Sequence, residues 1–228
     1  MFKTVSFFIA LIAAAFVIAP KAHAEGCTDE QRLRAEIDAY QSLDRLRDFN
    51  DGQNAFSSAN EGIALVEQLY AYAKKCGADL ERINRTKLDR VETAARAAFA
   101  KKSVHDLALF VTDPSHGSAA DWYIAMAESA VEDARTNGAD VAELAASLPK
   151  LVREARKTDA ERRFAELQKF AKGGTTQIIS ARVGIEDAQH AINEARELRV
   201  ALPPTIEKQL PEVSRQALLR DQPTTSNN

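Results

Sequence analysis

Beyond its first two dozen residues the chain has no apolar run long enough to span a bilayer, only two cysteines, one tryptophan and little glycine. Each shortage removes a class of function. No G-x-S-x-G occurs, and no S-x-x-K with its supporting elements, so the familiar serine nucleophiles are missing. Gly173-Gly174 lacks the remainder of any phosphate-cradling loop, and no C-x-x-C-H is present to attach a haem. Past the N-terminal segment the aromatics are Phe49, Phe56, Phe99, Phe110, Phe164, Phe170, Trp122 and four tyrosines, too few for a base-stacking platform. Positive charge is not in excess either: the formal net charge is −3, the wrong sign for neutralising nucleic-acid phosphates.

The segment from Met1 to Ala24 carries the one long apolar run. Lys3 opens it, residues 5–19 are apolar, and Ala22-His23-Ala24 is a small-x-small cleavage pattern before Glu25. This reads as a secretory signal peptide, too short and wrongly flanked for a spanning helix. Cleavage takes away Lys3 and Lys21 and no acid, moving the net charge from −3 to −5. The expected location is the periplasm or the medium, with no transmembrane segment in residues 25–221, which are long enough for one domain with a real core.

In an exported chain an isolated pair of cysteines is read as a disulfide, here Cys27 with Cys76. Cys27 precedes the first expected helix and Cys76 ends the second, positions that lie side by side in an antiparallel helical hairpin. By loop closure such a bridge is worth roughly 4 kcal/mol.

What the chain has in quantity is helical periodicity, and it repeats. Residues 124–135 (IAMAESAVEDAR) recur at 185–196 (IEDAQHAINEAR) and, more weakly, at 63–74 (IALVEQLYAYAK). Ile63, Ile124 and Ile185 are thus evenly spaced, by about 61 residues, and a fixed long period of this kind marks stacked helical units. Leu43, Leu46 and Phe49 are echoed by Val104, Leu107 and Phe110, then by Phe164, Leu167 and Phe170. Gly77-Ala78-Asp79 returns as Gly138-Ala139-Asp140, while the third copy has Val200-Ala201-Leu202-Pro203 where that turn belongs. A degenerate last copy suits a cap. The expectation is an all-α protein of about six helices in three helical-hairpin units, 28–77, 78–138 and 139–202. A terminal helix at 205–219 and a disordered tail at 222–228 follow. Either a short solenoid or a closed bundle satisfies this pattern.

Apolar spacing and breakers predict helices over 29–49 and 59–75, then one from residue 80 capped by Asp79. Further helices are expected at about 118–136, from residue 140 with a kink or restart at Pro149, and from 175 to about 202. Within the repeated stretch, Ile124, Ala127, Val131 and Ala134 form a stripe that alternates branched and small residues, as do Ile185, Ala188, Ile192 and Ala195. Such stripes are core and bring helices close together. Trp122 and Tyr123 stand one turn earlier, placed to wedge the loop end.

One constellation suggests chemistry. Glu186, His190 and Glu194 are spaced i, i+4, i+8, so one helix face can present two carboxylates and an imidazole as part of a metal site. No second histidine follows at ligand spacing, and the three fall on the solvated side, so no metal or cofactor is expected. His116 reads as a turn residue. Basic residues at Arg82, Arg85, Lys87, Arg90, Arg96, Lys101 and Lys102, and again from Lys150 to Arg163, are interleaved with acids and read as salt-bridged faces.

The expected function is a non-catalytic binding or scaffold module that meets another protein of the cell envelope, with the loops at 50–58, 111–117 and 171–175 on one edge. One alternative is a holdase-type chaperone exposing apolar surface around Phe56, Trp122 and Tyr123. The other is a hydrolytic or metal-dependent enzyme in which Glu186, His190 and Glu194 converge on a pocket.

Overall fold

The computed structural model describes residues 26–53, 56–115 and 119–221. The proposed signal peptide, His116 and the tail from residue 222 lie outside the described residues. What is described is all helical. Seven helices run in the order α1 (Asp29–Asn50), α2 (Ala59–Lys75), α3 (Arg85–Thr112), α4 (Ala120–Thr136), α5 (Ala142–Ala171), α6 (Ala181–Glu197) and α7 (Pro204–Asp221).

The helices pair as hairpins, α1 with α2, α3 with α4 and α5 with α6, and the odd-numbered members then pack side by side in chain order. Among the described residues no helix touches one more than two places along, so α1 and α7 never meet and the row is open. Its apolar interior is accordingly divided into three clusters, one for each group of neighbouring helices. The alternating stripes lie where their spacing predicts. Ile124, Ala127, Val131 and Ala134 are buried, as are Ala188, Ile192 and Ala195, with Ile185 half-buried. Cys27 and Cys76 are bonded with their Cα atoms 5.1 Å apart, tying the start of α1 to the end of α2.

The hairpin ends recur in detail. After α2 the Ala78 amide donates to the Ala73 carbonyl at 3.0 Å; after α4, Ala139 donates to Ala134 at 2.9 Å; after α6, Val200 donates to Ala195 at 2.9 Å. This closure needs a left-handed residue just before the donor. Gly77 and Gly138 supply it with φ of 67° and 78°, and Arg199 supplies it at 55°. The third turn therefore keeps the conformation although its sequence departs from Gly-Ala-Asp.

Successive hairpins are joined by side chains from the helix that follows. Arg162 on α5 donates to the Asp113 carbonyl at the end of α3, 2.9 Å away, with its guanidinium 4.8 Å from the Phe110 ring centroid. Arg220 on α7 does the same at the end of α5, donating to the Phe170 carbonyl over that ring. Likewise the Asp159 carboxylate accepts from the Ala120 amide opening α4, and Asp221 accepts from the Ala181 amide opening α6 at 2.9 Å. Each acid satisfies a helix-end donor, and α4 has no side-chain cap of its own.

Three boundaries differ from the periodic reading. Helix α3 begins at Arg85 rather than residue 80, because Asn84 caps it through the Lys87 amide while Ile83 folds into the core. Asp79 instead holds a turn, accepting from the Glu81 amide. Helix α5 continues through Pro149 without a restart. The last long helix spans 181–197, not 175–202, since Ser180 caps its start through the Val183 amide and Arg199 turns the chain after its end.

Candidate binding groove beside the fourth and fifth helices

The three residues singled out as possible ligands all lie on α6 but face different partners. Glu186 pairs with Arg182 at 2.8 Å, and Glu194 pairs with Arg156 of α5 at 3.1 Å. His190 Nε2 lies 3.9 Å from Asp121 of α4. Glu194 is only partly solvated, at 30% side-chain exposure, because Arg156 between α4 and α6 draws it in. Among the described residues no group of three or more His, Cys, Asp or Glu side chains is arranged to hold a metal ion.

Arg156 is the centre of this region. Its side chain is only 13% exposed and it bridges Asp121 and Glu194, joining three helices. A neighbouring pair, Arg163 with Asp187 at 3.4 Å, extends the link between α5 and α6. Asp159, one turn further, is buried; burial raises its pKa above the usual aspartate range, opposed by the Arg163 charge. These contacts close the cleft between α4 and α6 over the middle of α5.

Towards the start of α5 the cleft stays open as a groove of about 520 Å³. Val131 of α4, Ala145, Leu148, Pro149 and Val152 of α5, and Leu198 after α6 give it an apolar lining. Glu128, Glu132, Arg135 and Arg153 contribute the polar lining. Glu132 and Arg135 are paired with each other at 2.7 Å, which lowers the Glu132 pKa through the hydrogen bond. Such a surface can take apolar side chains and fix their register with a few polar contacts.

The periodic pattern marks Val131 only as core and Arg153 only as part of a charged face. A cleft assembled from three helices has no local signature. The signal available is a comparison of α5 with α3 in register, in which Arg85 and Glu92 become Ala145 and Val152.

Comparison with protein-family models, with curated proteins and with solved structures finds no match to this chain.

Proposed function

We propose that this chain is an exported, non-catalytic helical protein that binds another protein of the cell envelope through the α4–α5 groove. The observation that carries this reading is the groove in which exposed Pro149 and Leu198 stand over the largely buried Val131, Leu148 and Val152, at a place where the preceding groove is bridged by charged side chains. Apolar anchors seated in a desolvated pocket supply most of the energy in protein recognition, and this groove offers such a pocket. The N-terminal run with its Ala22-His23-Ala24 pattern and the paired cysteines support export. Among the described residues no helix is long and apolar enough to cross a membrane.

A photo-reactive residue at position 198 in the native envelope is expected to capture a protein partner. Substituting Arg153 by Glu in the same chain is expected to reduce that capture. Equal capture from a site remote from the groove, such as position 47 on α1, would count against the groove.

A holdase reading draws on Trp122, which is 56% exposed at the start of α4. Phe56 and Tyr123 lend it less, since each is partly buried, with ring centroids 6.3 Å from Phe49 and 5.3 Å from Phe110 respectively. Suppression of client aggregation at equimolar protein is its test. Catalysis by Glu186, His190 and Glu194 requires them to converge on a cavity, and the two carboxylates are engaged by different arginines.

A further inference from the structure

One corner of the molecule combines exposed apolar side chains with unpaired positive charge. It is formed by the α5–α6 connection and the end of α7. Asp221 accepts from the Ala181 amide, and Arg220 reaches back over the Phe170 ring, so the two segments are held together. Ile178 turns inward into a notch at Gly184, where an added Cβ would lie 2.8 Å from it. The next residue, Ile179, is left 86% exposed, and Val183 in the first turn of α6 and Leu218 and Leu219 in the last turn of α7 are exposed as well. Among the described residues nothing covers this set.

The charge at this corner is opposite to that of the protein. Residues 169–183 hold Lys169, Lys172 and Arg182 and no acid, in a chain whose net charge is −3. Arg182 is paired with Glu186, while Lys169 and Lys172 are exposed and, among the described residues, have no carboxylate within ion-pair distance. Asp221, the acid at the adjoining end of α7, is occupied by the α6 amide.

We propose that this corner docks on a lipid surface carrying anionic headgroups, with Ile179 inserted at the headgroup boundary and Lys169 and Lys172 paired with phosphates. Apolar insertion and lysine attraction are each modest and become useful together, which is how peripheral proteins hold a membrane without spanning it. Trp122 holds in the first turn of α4 the place that Val183 holds in α6, and it is exposed at the same end of the helices. An amphipathic ring of that kind suits the water–lipid boundary. The proposal is independent of the groove, which lies at the other end of α6.

The test is flotation of the exported protein, its N-terminus fixed by mass, with phosphatidylglycerol-containing vesicles and with pure phosphatidylcholine vesicles. Binding is expected to the anionic vesicles only and to fall as salt is raised. Replacing both lysines by glutamine is expected to weaken it by about thirtyfold, and Ile179→Glu by at least about tenfold. Both variants alter exposed side chains, so their unfolding curves should match the parent. Leu198→Asp, which disturbs the groove, should float as the parent does. Equal binding to neutral vesicles, no binding to either, or retention by Ile179→Glu would overturn the proposal. So would a concentration-dependent dimer that Ile179→Glu dissolves, because the corner would then be covered by a second copy.

Discussion

The groove between α2 and α3 and the groove between α4 and α5 occupy equivalent places, yet they are finished in opposite ways. In the first, Arg85 crosses from α3 to Glu67 of α2 at 3.1 Å and holds Asp89 at 2.7 Å. Beneath it Glu92 is buried, with Arg96 at 3.9 Å, and Arg96 in turn meets Asp133 of α4 at 3.5 Å. In the second, the positions of Arg85 and Glu92 are taken by Ala145 and Val152, and the space is an open groove. Only the deeper pair is kept, Arg156 with Glu194 standing where Arg96 meets Asp133. The difference teaches that one backbone frame can be finished in two ways: charge closes a joint, and its removal leaves a groove.

The largest expected effect comes from stripping the first groove of its buried cation. Arg96→Ala removes the one cation within ion-pair distance of buried Glu92, leaving it only the pull of Arg85, and should lower stability by about 3 kcal/mol in urea unfolding at neutral pH. The same truncation at Arg156 should cost less, about 1–2 kcal/mol, because Asp121 and Glu194 retain access to water. Equal losses at the two sites would contradict the contrast between them.

A second expectation concerns pH. Burial, then the Glu67 charge, raises the Glu92 pKa above the usual glutamate range, against the pull of Arg85 and Arg96. The folded state then keeps the proton where the unfolded chain has released it. Stability therefore falls as pH rises from the usual glutamate range through the raised value, and the penalty is complete above it. Glu92→Gln should gain on the parent across that window and show no gain below it, as read from unfolding curves between pH 4 and 8. The smallest thermodynamic effect is expected from Ala145→Arg. The new guanidinium should reach Glu128 as Arg85 reaches Glu67, shift stability by under about 0.5 kcal/mol, and yet abolish cross-linking from position 198.

Much of the frame is visible in the amino acids alone. The Ile63, Ile124 and Ile185 stripes, the Phe49, Phe110 and Phe170 echoes and the Cys27–Cys76 bridge all rest on spacing, which a chain displays directly. The left-handed Arg199 does not, since nothing in an arginine announces that conformation; only its place one repeat after Gly138 does. The start of α3 is misread because Asp79 and Asn84 are both good caps, and burial of Ile83 decides between them. Asp159 and Asp221 cap helices that begin much earlier in the chain, so their role appears only once α5 and α7 are in place. The groove is the least legible of all, being a space between three helix segments.

The open row of helices also sets the order in which the protein can assemble. Among the described residues every contact between helices joins elements that are adjacent or next-adjacent along the chain, so no early helix waits for a distant one. Loops to be closed are short and folding of such a topology is fast. Both cysteines flank the first hairpin, and the helices they join, α1 and α2, pack on each other. A chain delivered N-terminus first can therefore finish and lock its first hairpin while the remainder is still arriving, and each later hairpin finds a completed surface on which to settle.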